Sequence, residues 1–473
     1  MLTSTKDYLY AQLADQIEAL IRQQVWRPGE RVLSVRQLSQ QYQVSLSTAF
    51  QAYYHLENKG VLEARPKSGY FVRAGARQLA PPEQSAPRLQ ETEVSINESL
   101  KLVLEGRQAH RVSFAVTVPS PELLPVARLR KAVVQATDRA SGHGVRYEQA
   151  AGHEGLRRQI ARQALRWGGQ LFPDDVIVTN GCVEALNLCL RAVAQPGDTI
   201  AIESPTYYGI LLTIENLGMK ALEIPTHPRT GVSLEHLEAA FRQKKVAACL
   251  FVSNFNNPLG SCIPDAQKQA LVSLLSRWRI PLIEDDIYGE LYFGPARPKT
   301  CKAFDQDGLV LLCSSFSKHL APGYRVGWVA AGRYHRRVEQ LKFMQNLATA
   351  TLPQLAVAHF LEHGRYEHHL RQLRTRLAAQ VQHTAQAVDR YFPPGTRVTQ
   401  PAGGFVLWVE LPPPADAFAL YQQASAQGIS FVPGQFFSAQ AGQYRNCLRL
   451  SCGQPWTSQL EQAIETLGRL AAG

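Results

Sequence analysis

Lys318 stands in the run Cys313-Ser314-Ser315-Phe316-Ser317-Lys318-His319-Leu320-Ala321-Pro322-Gly323-Tyr324-Arg325. A lysine amine can form an imine with an aldehyde. The hydroxyls of Ser315 and Ser317, with the Arg325 guanidinium, can hold a phosphate. A solvated loop lysine is the ordinary alternative, and other stretches decide between the two. Asn180-Gly181-Cys182-Val183 reads as a glycine turn into a helix, a place where backbone N–H groups cradle an anion. Such turns also occur with no ligand. Asn257, followed by Pro258, can donate to a ring oxygen, or serve only the turn that Asn, Pro and Gly favour. Glu284-Asp285-Asp286 closes an apolar run, and buried carboxylates need partners. A protonated pyridine nitrogen suits Asp285, and Tyr288 could reach an oxygen of the same ring; the alternative is an acidic helix N-terminus. An aromatic from Tyr207-Tyr208 can stack on a planar ring or simply fill the core.

One ligand answers all of these features. Pyridoxal 5′-phosphate needs a lysine for its aldehyde, an acid for its ring nitrogen, donors for its ring oxygen, a phosphate cradle and a stacking ring. The acid keeps the pyridinium protonated, so that the ring acts as an electron sink.

Four of these stretches, all but Tyr207-Tyr208, follow an expected strand: Val176–Thr179, Val246–Ser253, Ile280–Ile283 and Leu309–Leu312, with Val326–Ala331 after the last. Short apolar runs bounded by turn signals suit a buried parallel sheet. Strand and helix signals alternate from Val94 onward, so an α/β domain with a mostly parallel sheet is expected over 94–473. Ligands of such sheets gather beyond the carboxyl ends of the strands.

The N-terminus differs. Leu9, Leu13, Ile17, Leu20 and Ile21 share one helical face, and Pro28-Gly29 ends that helix. A second helix is expected over Ser34–Tyr42 and a third from Ser45, with Ala49, Ala52, Tyr53 and Leu56 inside and Lys59-Gly60 as a stop. A hairpin follows, turning at Pro66–Gly69. Three helices and a hairpin describe an α+β winged helix-turn-helix over 1–73, with the third helix in the major groove. Arg36, Ser45, Ser47, Thr48, Lys67, Ser68 and Gly69 are its expected DNA contacts. A small helical docking domain is the alternative. Residues 74–93 bear prolines and few large apolar groups, which reads as a flexible, partly extended linker.

The run "RPGERVLSVRQLSQQYQVSLSTAFQAYYHLENKGVLEARPKSGYFV" resembles the DNA-binding domain of the GntR family. Leu33 stands where that family usually has proline, and Leu46 where it often has arginine, which puts the operator sequence in question. Residues 110–460 resemble the fold type I, aspartate-aminotransferase-like pyridoxal-phosphate enzymes. That resemblance implies a large domain and a small C-terminal subdomain. It implies that Lys318 forms the imine, Asp285 pairs with the ring nitrogen, Asn257 and Tyr288 bind the ring oxygen, and Tyr207 stacks on the ring. Gly181, Cys182, Val183, Ser315, Ser317 and Arg325 would surround the phosphate, with Cys182 in place of the usual serine or threonine. Arg449, in Cys447-Leu448-Arg449-Leu450-Ser451, would clamp a substrate α-carboxylate. Tyr147 would reach the phosphate in a partner subunit, which implies a homodimer. The three parts in this order resemble the MocR family of transcriptional regulators.

The expectation is therefore a regulator that binds a double-stranded DNA operator and senses pyridoxal 5′-phosphate, or an amino acid or amine effector that bonds to it. The alternative is a working aminotransferase with an appended DNA-binding domain. The net charge of +11 hints at an acidic partner. Eight cysteines without close metal spacing read as reduced thiols, with no metal site. No secretory signal or bilayer-length apolar run is visible, so a cytoplasmic protein away from membranes is expected.

Overall fold

Apolar residues recurring every third or fourth position build the first helix, α1 (Leu9–Arg22), which turns Leu13, Ala14 and Ile17 inward. The computed structural model describes residues 9–27, 29–58, 61–65, 68–72, 79–95, 100, 103, 111–243 and 245–473. Helix α2 (Val35–Gln41) opens on a reciprocal cap. The Ser34 hydroxyl accepts from the Gln37 N–H, and the Gln37 side chain accepts from the Ser34 N–H at 2.9 Å. Helix α3 (Leu46–Asn58) opens on Ser45, whose hydroxyl accepts from the Thr48 N–H at 3.1 Å. Ala49, Ala52, Tyr53 and Leu56 face inward, as their spacing predicts. Strands β1 (Leu62–Arg65) and β2 (Gly69–Val72) form the antiparallel wing. These elements share one core of their own, which is the winged helix-turn-helix.

Strands β3 (Glu91–Glu93) and β4 (Val112–Ser113) lead into the large domain. Its sheet draws on β5 (Val176–Thr179), β6 (Thr199–Ser204), β7 (Lys220–His227), β8 (Gly231–Val232), β9 (Val246–Phe251), β10 (Leu282–Asp285), β11 (Val310–Ser315) and β12 (Gly327–Ala330). The order is β3-β7-β6-β9-β10-β11-β12-β5, with β8 on β7. From β7 to β11 all neighbours are parallel; β12 runs antiparallel to both β11 and β5. The central strands are buried along their whole length, which explains their unbroken apolar runs. Beyond them, β13 (Arg397–Val398), β14 (Val406–Glu410), β15 (Ile429–Ser430), β16 (Val432–Pro433) and β17 (Cys447–Ser451) build the small subdomain. Four of these form an antiparallel sheet, β13-β14-β17-β16, and β15 pairs with β4. Strand β10 starts two residues later than its apolar run, after Pro281, which has no N–H to give a ladder. Strand β11 continues into Ser314 and Ser315, because the Ser314 hydroxyl is satisfied by the Asp286 carbonyl at 3.1 Å.

Residues 79–93 lie extended against this domain. The Ala80 carbonyl accepts from the Val398 N–H, and Ser85 bonds to Ser204 and Thr226. Arg88 exchanges two bonds with the Gln440 side chain, and β3 adds an edge strand to β7. Among the described residues no helix is long and apolar enough to cross a membrane.

Candidate functional site

Parallel strands end at a common edge, so residues that follow them in sequence meet in space. Gly181 follows β5, Tyr207 follows β6, Asn257 follows β9, Asp285 ends β10, and Ser315, Ser317 and Lys318 close or follow β11. Antiparallel β12 begins at the same edge, and Arg325 lies just before it. A cavity of about 120 Å³ opens there. Tyr207, Asn257, Asp285, Tyr288, Ser315, Ser317, Lys318 and Arg325 line it, with Cys182 and Val183 from the start of the helix Cys182–Val193.

The Lys318 Nζ donates to the Thr117 carbonyl at 2.6 Å and lies 5.7 Å from the Tyr288 ring centre. Desolvation, then the Arg449 guanidinium, pull its pKa down to about 8. Asp285 moves the other way, to about 6, because burial disfavours its charged form. Its two neighbours show why it is special. Glu284 accepts from the Cys301 and Lys302 N–H groups and the Ser253 hydroxyl. Asp286 is held by Arg297 and by the Asn254 amide. Among the described residues Asp285 accepts only from the Ile287 N–H at 3.1 Å and the Cys182 thiol at 3.4 Å, and no cation is bonded to it. The stretch after β10 is a turn, so these acids do not open a helix.

The end of the cavity at Gly181 is built from backbone. Gly181 has φ +82, and a Cβ there would lie 2.4 Å from the Arg325 Nη2. No side chain caps the helix that Gly181 opens. Arg325 donates to the Asn180 carbonyl at 3.3 Å and the Ser317 hydroxyl at 3.4 Å. The Cys182 thiol points to Asp285, away from this turn's backbone N–H groups. Tyr207 precedes the helix Tyr208–Asn216 and borders the cavity. The Asn257 Oδ1 is buried with no partner.

Arg449 sits on β17, fully buried, with Trp408 of β14 and Val432 of β16 opposite it. It donates through Nη2 to the Ala115 carbonyl at 2.6 Å, while Nε and Nη1 have no partner among the described residues. Tyr147 is 86 % exposed and does not line this cavity. Reading the sequence missed Thr117, because a backbone carbonyl leaves no mark in a sequence. It also missed Thr213, Leu186 and Ile287, whose apolar or mixed character looks like ordinary core.

In the winged helix, Arg36, Ser45, Ser47 and Ser68 are exposed, and Thr48 and Gly69 are half-buried. Ser45 spends its hydroxyl on the cap and on Ser47 and Thr48, each at 2.8 Å. Gly69 takes φ +96 at the wing turn. Lys67 lies outside the described residues. Leu46, Phe50 and Tyr54 form an exposed stripe along α3; their i, i+4, i+8 spacing was a usable signal.

Residues 119–467 match the family "Aminotransferase class I and II", and residues 9–72 match "Bacterial regulatory proteins, gntR family". The chain is 40 % identical to the HTH-type transcriptional regulator YjiR of Escherichia coli (strain K12), over 97 % of this chain and 98 % of that one. The chain belongs to the MocR family of transcriptional regulators. The MocR assignment fits the solved structures as well. The kynurenine aminotransferase of Pyrococcus horikoshii is 27 % identical with a TM-score of 0.75, covering 80 % of this chain and 95 % of that one. LysN, the α-aminoadipate aminotransferase of Thermus thermophilus, is 28 % identical with a TM-score of 0.73, covering 80 % and 96 %. The aminotransferase class I and II fold family depends on pyridoxal phosphate.

Proposed function

We propose that this MocR-family chain binds pyridoxal 5′-phosphate at Lys318 and reports an amino acid or amine to a DNA operator held by its winged helix. The observation that carries the reading is the set of unmet needs at one sheet edge. Among the described residues, Asp285 is desolvated without a bonded cation and Arg449 has two buried nitrogens without a partner. Buried polar groups left unpaired cost about 1–3 kcal/mol each, so a ligand that satisfies both gains by doing so. The ring nitrogen suits Asp285, and the Asn257 and Tyr288 side chains suit the ring oxygen. Gly181, Cys182, Val183, Ser315, Ser317 and Arg325 suit the phosphate, and Tyr207 suits the ring face. When bound, the cofactor supplies an aldehyde for an amine and a ring that draws electron density from it.

Lys318 holds the amine. At pH 7 about one amine in ten is neutral, given the depressed value, against far fewer for an exposed lysine. The Arg449 fork suits the α-carboxylate of an incoming amino acid, which would complete its hydrogen bonds. Cofactor loading would take the Lys318 amine away from the Thr117 carbonyl, and an effector that frees the amine would let that bond re-form. Arg36, Ser47, Thr48, Ser68 and Gly69, with Ser45 as the cap, support a winged helix that meets the operator through the start of α3 and the wing. A homodimer is supported by large apolar residues left exposed on this domain: Val183 at the cavity, and Val145, Tyr147, Met344, Leu347 and Leu352. Tyr147, without a role in its own chain's cavity, would enter the partner's.

The test is an absorbance titration of cofactor-loaded protein with amino acids and amines, run beside operator binding. A visible band that shifts with one ligand class, together with changed operator affinity, is the expected result. Protein that takes up no cofactor defeats the reading. Retention of Lys318, Asp285 and Arg449 together favours a second reading, turnover as an aminotransferase. Lys318 would then move the proton at the substrate Cα. Multiple turnovers to a keto acid would establish it.

A further inference from the structure

Three depressions of the large domain lie side by side along the helices Val126–Ala140 and Thr351–His363. Arg139, Arg158 and Arg162 line the first, Lys131 and Arg365 the second, and Arg130 with Lys131 the third. His359 lines both the first and the second, and Lys131 both the second and the third, so the three are continuous. Glu362 is the one acid in their walls among the described residues. The helix Val126–Ala140 accounts for much of this, with Arg128, Arg130, Lys131 and Arg139 against Asp138. Arg158 has Glu154 as a partner. No ion pair among the described residues holds Arg130, Lys131, Arg139 or Arg162.

Like charges kept unpaired on one face repel each other and lower stability unless an anion joins them. The charge is spread along a line and not focused at a point, which suits a polyanion better than a single phosphate. A 15-residue helix is about 22 Å long, room for about six base-pair steps of duplex. We propose that this cationic face is a second contact for duplex DNA, taking the phosphate backbone that flanks the bases met by the winged helix. The proposal rests on the reading of the N-terminal domain as an operator binder. The contact is to backbone, so it adds affinity and orientation without reading sequence. It also places part of the chain's basic excess, which the winged helix by itself does not hold.

The test uses full-length, cofactor-loaded protein. The variant Arg130→Gln/Lys131→Gln/Arg139→Gln/Arg162→Gln removes four charges that make no described ion pair. The probes are a duplex of about 60 base pairs, selected by the wild-type protein from a random library, and the same duplex trimmed to about 16 base pairs around the protected bases. On the long duplex the variant should bind about tenfold or more weakly near physiological salt. Its log–log salt slope should be shallower by about 0.9 for each phosphate that it no longer neutralises. On the short duplex it should match wild type within about twofold, and its absorbance and melting temperature should be unchanged. Unchanged binding of the long duplex overturns the proposal, as does an equal loss on both probes. Loss of binding to phosphatidylserine vesicles with DNA binding intact would assign the face to a membrane surface instead. Wild-type protein that selects no duplex fails at the first step, and overturns the operator reading before any variant is compared.

Discussion

Burial drives Lys318 and Asp285 toward neutrality from opposite ends of the pH scale. The amine falls to about 8 and the carboxyl rises to about 6. Only a neutral amine has the lone pair that attacks an aldehyde. A lowered lysine pKa means that the reactive form grows as pH rises toward about 8 and saturates above it. Uptake of pyridoxal phosphate by the apo-protein should therefore accelerate about tenfold per pH unit below about 8 and level off beyond. Stopped-flow absorbance over that range checks this, and a flat profile would remove Lys318 from the reaction. Asp285→Asn exchanges a charge-assisted bond to the ring nitrogen for a neutral one. The expected loss of cofactor affinity is about tenfold to about a hundredfold, matching about 1.5–3 kcal/mol for a bond to a charged group. Equilibrium dialysis measures it, and wild-type affinity would take Asp285 away from the ring.

At the scale of elements, the extended segment 79–93 ties the two parts of the large domain together. Its start bonds to β13 of the small subdomain, through Ala80 and the Glu83–Arg397 pair. Its end pairs with β7 of the main sheet. Ser85 sits between: its hydroxyl donates to the Ser204 carbonyl at 2.5 Å and accepts from the Thr226 N–H at 2.7 Å. Ser204 in turn bonds to Tyr444 and Glu223, and Tyr207 follows three residues later. Over residues 79–93 the path toward the cavity at Lys318 thus passes through hydrogen bonds. Ser85→Ala leaves the Thr226 N–H and the Ser204 carbonyl without this partner, at a cost of about 1–3 kcal/mol. Thermal unfolding should register that loss, and amide exchange over 85–93 should quicken. Unchanged exchange there would mean that β3 holds the segment unaided.

For the whole molecule, the exposed apolar patch matters most. Val145, Met344 and Tyr147 are 90 %, 81 % and 86 % exposed, and Val183, also exposed, lines the cavity. Clustered exposure of this kind marks an interaction surface. In the proposed homodimer it becomes the seam, and each Tyr147 supports the other chain's phosphate. Met344→Glu buries a charge in that seam and should convert dimer to monomer in analytical ultracentrifugation, with weaker cofactor retention. A monomeric wild type would refute the arrangement.

Much of the site was legible because its chemistry is local. Lys318, Asp285, Asn257 and Gly181 each close an apolar run, so strand identity and residue type lie within a few positions of each other. The α3 core face and the Ser34 and Ser45 caps were readable for the same reason. Arg449 was reachable only through family resemblance, since its strand gives no sign that two of its guanidinium nitrogens lie buried without a partner. The Thr117 carbonyl and the docking of Ser85 gave no sequence signal at all, and the basic run in Val126–Ala140 gave no sign of the second helix that lies beside it. Sequence by itself determined which residues carry reactive groups and which runs bury themselves, because side-chain chemistry and hydrophobic period are properties of the chain. Tertiary structure decided what those groups lack. Glu284 and Asp286 found partners inside the protein, while Asp285, its immediate neighbour, was left desolvated and without a bonded cation. Only the packing of distant strands settles that difference.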